Sequence, residues 1–296
     1  MRRTILNSKK AMWLILAFFL SAIAVTLPVM LPQFQRAVQP IDRLYVFGDS
    51  LSDVGNVFRA TNGAVPAPPY YQGRHSNGKV WVEELADKLN LSADRVGNFA
   101  WGGATTGEVG MNQVPGILAQ VQAFLKNQPR LNPQALFVVW AGSNDYLFST
   151  ETPTVSIDNL NESLQLLLNQ GAKRLLVANL PDLGKLPATR QQENAQKLTN
   201  FAIAYNQALK VTLEKLEQPG LAISELDVFH IYQTALNDPN QYGFTNVTNA
   251  CLETATTCDR FLFWDGIHPT ATAHKVLGAL AFEQVQREIV DQSART

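Results

Sequence analysis

Ser50, Asp265, His268, Asn144 and Gly102 are the residues whose types and spacing could carry acyl chemistry. A neutral serine is a poor nucleophile until a base takes its proton and a third group fixes the tautomer of that base. Of the four histidines, His75, His230, His268 and His274, His268 lies three positions after Asp265 in Trp264-Asp265-Gly266-Ile267-His268-Pro269. A tight turn at that spacing brings a carboxylate to an imidazole without a long-range partner. Pro269 biases His268 away from helical geometry, so a helix is expected to start just after it. Acyl chemistry also needs donors aimed at the oxyanion that develops on the acyl carbon. Gly102 offers a backbone N–H with close approach for lack of a Cβ, and Asn144 offers a side-chain amide. Taken singly, a Gly-Gly pair after a strand is a turn, and Gly-Ser-Asn-Asp is a loop with Asx hydrogen bonds.

Other groups have plainer readings. Asp49 could be a nucleophile of a phosphatase-like loop, but a second acid and a magnesium site are not evident in the sequence, and it otherwise orients the Ser50 loop. His75, His230 and His274 read as surface or packing residues, and Trp81, Trp101, Tyr146 and Trp264 as core or pocket wall.

The elements that must position these residues follow from periodicity. Residues 44–47 form a short apolar run that breaks into glycine just before Ser50, a buried strand handing over to a loop. Residues 95–100, 135–140, 174–178 and 221–226 read as further strands, the second of them apolar throughout and therefore central. Between them, apolar residues recur at helical spacing over 79–90, 113–126, 157–170 and 191–217. Helices are also expected over 228–236 and from 271 to about 289. Strand and helix alternate, with connections long enough to cross over. The fold class expected is α/β, a three-layer α/β/α sandwich with a central parallel sheet. Ligands bind outside the carboxyl ends of the strands in such sheets, where Ser50, Gly102 and Asn144 stand. The Pro/Gly-rich stretch 61–78, with Tyr70, Tyr71 and His75, is long for a loop. It lines a substrate mouth or covers a sheet edge.

At 296 residues with 46% hydrophobic and 17% charged side chains, the chain can bury a sizeable core. A formal net charge of -1 excludes a global basic field for nucleic acid. Arg2, Arg3, Lys9 and Lys10 precede an uncharged apolar stretch over residues 11–31, the pattern of an export signal. Ala22-Ile23-Ala24 offers a cleavage site. An uncleaved anchor is the competing reading, because residues 11–31 as a helix would reach roughly 31 Å, enough to span a bilayer and hold the chain at a membrane. Either way, residues 1–40 are a signal peptide or signal anchor plus linker, residues 41–296 form the catalytic domain, and that domain is exported. Cys251 and Cys258 fit such a compartment and can close a structural disulfide.

In their order, these segments resemble the GDSL (SGNH) family of lipases and acylhydrolases. Phe47-Gly48-Asp49-Ser50-Leu51-Ser52-Asp53-Val54-Gly55-Asn56 looks like the family's first block, and Asn98-Phe99-Ala100-Trp101-Gly102-Gly103-Ala104 resembles the second. Gly142-Ser143-Asn144-Asp145 resembles the third, and Asp265-Gly266-Ile267-His268-Pro269 the last. The resemblance implies a flavodoxin-like SGNH hydrolase fold, and Ser50, His268 and Asp265 as a catalytic triad. It implies an oxyanion hole from the Ser50 and Gly102 amides, Gly103 being the alternative, together with Asn144. It further implies an acyl-ester substrate that extends to lipids, with no cofactor and no metal. The spacing and the cysteine loop look most like the branch of extracellular esterases and hemolysin-like phospholipases. An acyltransferase with the same acyl-enzyme, or a non-catalytic carbohydrate- or lipid-binding domain, are the alternatives.

Overall fold

The computed structural model describes residues 40–148 and 151–295, with side chains as far as residue 291. The expected signal or anchor segment lies outside the described residues. The first half of the domain runs β1 (Arg43–Gly48), α1 (Asn56–Ala60), α2 (Trp81–Lys88), β2 (Val96–Asn98), α3 (Ile117–Leu125) and β3 (Ala135–Trp140). It continues through α4 (Ser143–Leu147), α5 (Pro153–Asn169), β4 (Arg174–Ala178), α6 (Ala195–Leu216), β5 (Ala222–Leu226) and α7 (Val228–Asn237). The end of the chain adds β6 (Asn246–Ala250), α8 (Cys251–Thr254), β7 (Phe261–Phe263) and α9 (Ala271–Arg295).

Five strands form a sheet in the order β2-β1-β3-β4-β5, all parallel. Because successive strand residues point to opposite faces, Phe47, Phe137, Val139, Leu175 and Val177 meet α3, α5 and α6 on one side. Leu44, Val46, Leu136, Val138 and Leu176 meet α2 and α9 on the other. Both faces are covered, which is why β3 reads as an unbroken apolar run and is buried throughout. Each such side chain taken fully from water contributes about 1.5–3 kcal/mol. The three-layer α/β/α sandwich expected from the sequence is the one observed.

Local departures have local causes. Helix α5 starts at Pro153, four residues before the periodicity suggests, because Thr152 Oγ1 accepts from the Val155 amide at 3.4 Å and a proline suits the first helical turn. Helices α3 and α6 start four residues later than expected, at Ile117 and Ala195. A second, two-stranded parallel sheet of β6 and β7 flanks the bonded Cys251–Cys258 pair, where the sequence suggests only loop. Closing so small a ring stabilises the fold by about 2–3 kcal/mol on loop-entropy arithmetic.

The strand order places β1 between β2 and β3, so the chain changes direction across the sheet there. That reversal leaves a crevice outside the carboxyl ends of β1 and β3. Ser50 follows β1, Gly102 follows β2 and Asn144 follows β3.

Candidate active site

The chain leaves the sheet at Gly48, whose N–H donates to Gln120 Oε1 and whose carbonyl accepts from Gln120 Nε2, both at 3.0 Å. A Cβ here would lie 2.8 Å from Ser52 Cβ, so only glycine permits the turn. The Asp49 carbonyl then accepts from Ser52 and Asp53 at 3.1 and 3.0 Å, and its Oδ1 accepts from the Leu51 amide at 3.0 Å. Asp49 therefore shapes the loop that presents Ser50, its plainer sequence reading. Burial pushes its carboxyl up to about 7.

Asp53 ties this turn to the one after β2. It accepts from the amides of Gly55 at 2.7 Å, Asn56 at 2.6 Å, Val57 at 3.3 Å and Gly102 at 2.9 Å. Asn56 Nδ2 donates to the Ala100 carbonyl at 2.7 Å, and Asn98 Nδ2 to the Ser52 carbonyl at 2.8 Å. The expectation for Gly102 is corrected here, because its N–H points into the Asp53 carboxylate. The amides of Ser50 and Gly103 have no acceptor among the described residues, and both residues line one cavity. Glycine at position 102 has another cause, since a Cβ there would lie 2.5 Å from His75 Cε1.

Asn144 is the second residue of the short helix α4. Gly142 before it has φ 121°, and a side chain there would meet the Tyr205 ring at 2.7 Å. The Tyr205 hydroxyl donates to the Ala141 carbonyl at 2.8 Å. Asn144 is buried, and one of its Nδ2 hydrogens goes to the Ala104 carbonyl at 2.8 Å. The second faces no acceptor among the described residues. Asp145 accepts from the Thr106 amide and hydroxyl, which links the second and third loops.

The last loop behaves as its spacing predicts. Asp265 Oδ1 accepts from the amides of Ile267 at 2.8 Å and His268 at 2.7 Å, and Oδ2 lies 2.7 Å from His268 Nδ1. His268 Nε2 stands 2.9 Å from Ser50 Oγ. Burial works against the Asp265 charge, but the hydrogen bond and charge of His268 and the two amides hold its carboxyl well below the usual carboxylate range. One continuous chain of contacts thus joins Ser50, His268 and Asp265.

Of the two readings left open for the 61–78 loop, the one at the substrate mouth fits: Tyr70 and His75, the latter read from sequence as a surface or packing residue, both enter the site. His75 lines the cavity, with its ring 5.1 Å from that of His268 and its Nδ1 buried without a partner among the described residues. Burial and the neighbouring His268 push it down to about 3, so it stays neutral at ordinary pH. Tyr70 donates its hydroxyl to Asp265 Oδ2 at 2.8 Å. Loop length marked the stretch, but nothing local names a partner 195 positions away. His274 is buried and accepts from the Trp81 amide at 3.3 Å, and His230 is exposed. Both fit their plain readings.

The cavity over Ser50 has a volume of about 610 Å³ and an apolar wall that includes Leu183, Ile231, Phe244, Phe263 and Val276. Asn144 and His268 reach it together with Ser50. Among the described residues no group of three or more His, Cys, Asp or Glu is arranged to hold a metal ion.

The family model for GDSL-like lipase/acylhydrolase matches residues 44–281. The chain is 27% identical to the phosphatidylcholine-sterol acyltransferase of Aeromonas hydrophila, over 94% of this chain and 98% of that protein. It is 30% identical to the thermolabile hemolysin of Vibrio parahaemolyticus, over 83% of this chain and 65% of the hemolysin. Among solved structures, a lipolytic G-D-S-L family member from Veillonella parvula superposes with a TM-score of 0.53 at 16% identity, covering 83% of this chain and 98% of that one. The M. smegmatis aryl esterase gives 0.51 at 16% identity, covering 83% and 99%. With the family model spanning the sheet and all four loops that build the site, the chain belongs to the GDSL-like lipase/acylhydrolase family and is an ester-bond hydrolase.

Proposed function

We propose that this chain is an exported serine ester hydrolase that cleaves acyl esters through a covalent acyl-enzyme on Ser50. The observation that carries the reading is the Ser50–His268–Asp265 chain of contacts, at 2.9 and 2.7 Å, opening on the apolar cavity. His268 Nε2 takes the Ser50 proton as Oγ attacks the acyl carbon. Asp265 keeps the other ring proton on Nδ1 and stabilises the imidazolium, without itself becoming protonated. The amides of Ser50 and Gly103 and the second Nδ2 hydrogen of Asn144 receive the oxyanion. The intermediate collapses as the alcohol leaves with the proton from His268. Water, deprotonated by His268, then attacks the acyl carbon and releases the acid.

Asn144→Ala removes one oxyanion donor and lowers kcat by about 10²–10³-fold with little change in KM. A loss of tenfold or less assigns Asn144 to fixing the Ala104 carbonyl instead.

The apolar wall of the cavity favours an acyl chain over a polar head group. Each buried methylene is worth about 0.8 kcal/mol, or up to fourfold in kcat/KM. A p-nitrophenyl ester series from acetyl to palmitoyl should therefore climb with chain length until the cavity fills, and an optimum at acetyl contradicts this placement. Likeness to an acyltransferase over nearly its whole length favours a second reading, in which an alcohol replaces water in the second step. Adding a sterol or a short alcohol to the assay and measuring new ester against free acid separates the two.

Export is supported by the basic and apolar N-terminal pattern and by the paired cysteines, and a relative is named a secreted effector protein. Whether residues 11–31 are cleaved or anchor the chain concerns residues outside those described. Among the described residues, no helix is long and apolar enough to cross a membrane.

A further inference from the structure

We propose that Tyr70 is a positioning residue of the reaction, whose phenol holds Asp265 Oδ2 and sets how firmly that carboxylate holds His268. The proposal rests on the Ser50–His268–Asp265 reading above. Four donors surround the Asp265 carboxylate. Three come from its own turn, the amides of Ile267 and His268 and the His268 ring. The fourth is the Tyr70 hydroxyl, from a different element, on the same oxygen that faces the ring.

The loop that carries Tyr70 is fastened on the far side of His268 as well. Ser76 Oγ donates to the Pro269 carbonyl at 2.9 Å, and Asn77 Oδ1 accepts from the Ala271 amide at 2.7 Å. Within the loop, the Tyr71 amide donates to the Ser76 carbonyl at 2.9 Å, and Arg74 pairs with Glu83 of α2 at 2.7 Å. The Tyr70 ring stands edge-on to Trp264 and His75, with centroids 6.0 and 6.3 Å away. The 61–78 loop is thus a strap across the Asp265–Ala271 turn, and Tyr70 is its contact with the carboxylate. Burial, followed by the bond to Asp265, pushes the phenol up, so it remains a donor through the working pH range.

Among the described residues, the titratable groups around this pair are few. From the strap come Tyr70 and His75. Asp49 comes from the Ser50 loop, His274 from α9, and Glu253 from α8 acts on Tyr70. Among the described residues, none but Tyr70 is bonded to the Asp265 side chain besides its own turn. A carboxylate that loses a donor becomes more basic and holds imidazolium more strongly.

The test is the kcat/KM–pH profile on a fluorogenic ester, whose acid limb reports the essential base of the free enzyme. Tyr70→Phe should move that limb up by about 0.5–1 pH unit and lower kcat about 3–30-fold with KM within twofold. Site-specific 3-fluorotyrosine at position 70, a stronger donor of the same shape, should move the limb down. An unmoved limb in Tyr70→Phe, or a change confined to KM, overturns the proposal. If Tyr70→Phe does not fold, the fluorotyrosine enzyme decides alone, a downward shift supporting the role and an unmoved limb overturning it. Ser50→Ala is assayed alongside. Activity in that variant refutes the triad itself, whereas an inactive Ser50→Ala with unmoved limbs refutes Tyr70 alone.

Discussion

His268→Ala is expected to lower kcat by about four to six orders of magnitude while KM changes only a few-fold. The size of the effect follows from the lack of a substitute. Among the described residues, Ser50 Oγ has one base at hydrogen-bond distance, His268 Nε2. The nearby imidazole of His75 is buried and pushed down to about 3, and its Nδ1 meets no partner among the described residues. Asp49 is closer in sequence, but its Oδ1 accepts from the Leu51 amide within the turn. With no base, the serine remains a neutral alcohol, and what survives is binding and the oxyanion donors. Steady-state kinetics on one soluble ester checks this, and a loss of tenfold or less refutes His268 as the base.

Asp265→Asn should cost about 10⁴-fold in kcat with the fold retained. An asparagine can still accept from the Ile267 and His268 amides through its carbonyl, so the turn keeps its shape. Its amide then faces His268 Nδ1 as a donor, which moves the ring proton to Nε2. A protonated Nε2 cannot accept from Ser50. The change also has a stability signature of known sign. The folded-state pKa of Asp265 is held below its usual value, so its contribution is present above about pH 4 and fades as the pH falls through the folded value. Acid titration of the melting temperature should therefore be flatter below about pH 4 in Asp265→Asn than in the wild type. Near-wild-type turnover in this variant removes Asp265 from the triad.

How much of this was legible beforehand depended on whether the signal was local. Residues 135–140 announce a strand covered on both faces because every side chain must be apolar, and β3 has those bounds. The Asp265–His268 pair was readable because three residues of turn suffice to close it. The sequence narrows the amide donor to Gly102 or Gly103 and goes no further, because the two are adjacent and alike. What separates them is the direction each N–H takes, fixed by Asp53, whose own place depends on the turn after β1. The partners of Tyr70 and His75 were hidden for a related reason, since their contacts lie across the fold and no periodicity encodes them. The start of α5 was in plain view as Thr152-Pro153, a cap and a first-turn proline. Apolar spacing alone passed over it.

The central claim is that Ser50 is the nucleophile, and a fluorophosphonate probe with intact-mass and peptide readout tests it most directly. The folded wild-type chain is expected to gain one phosphonyl group on Ser50, and Ser50→Ala to gain none. Labelling at another residue, or labelling undiminished in Ser50→Ala, would contradict the account.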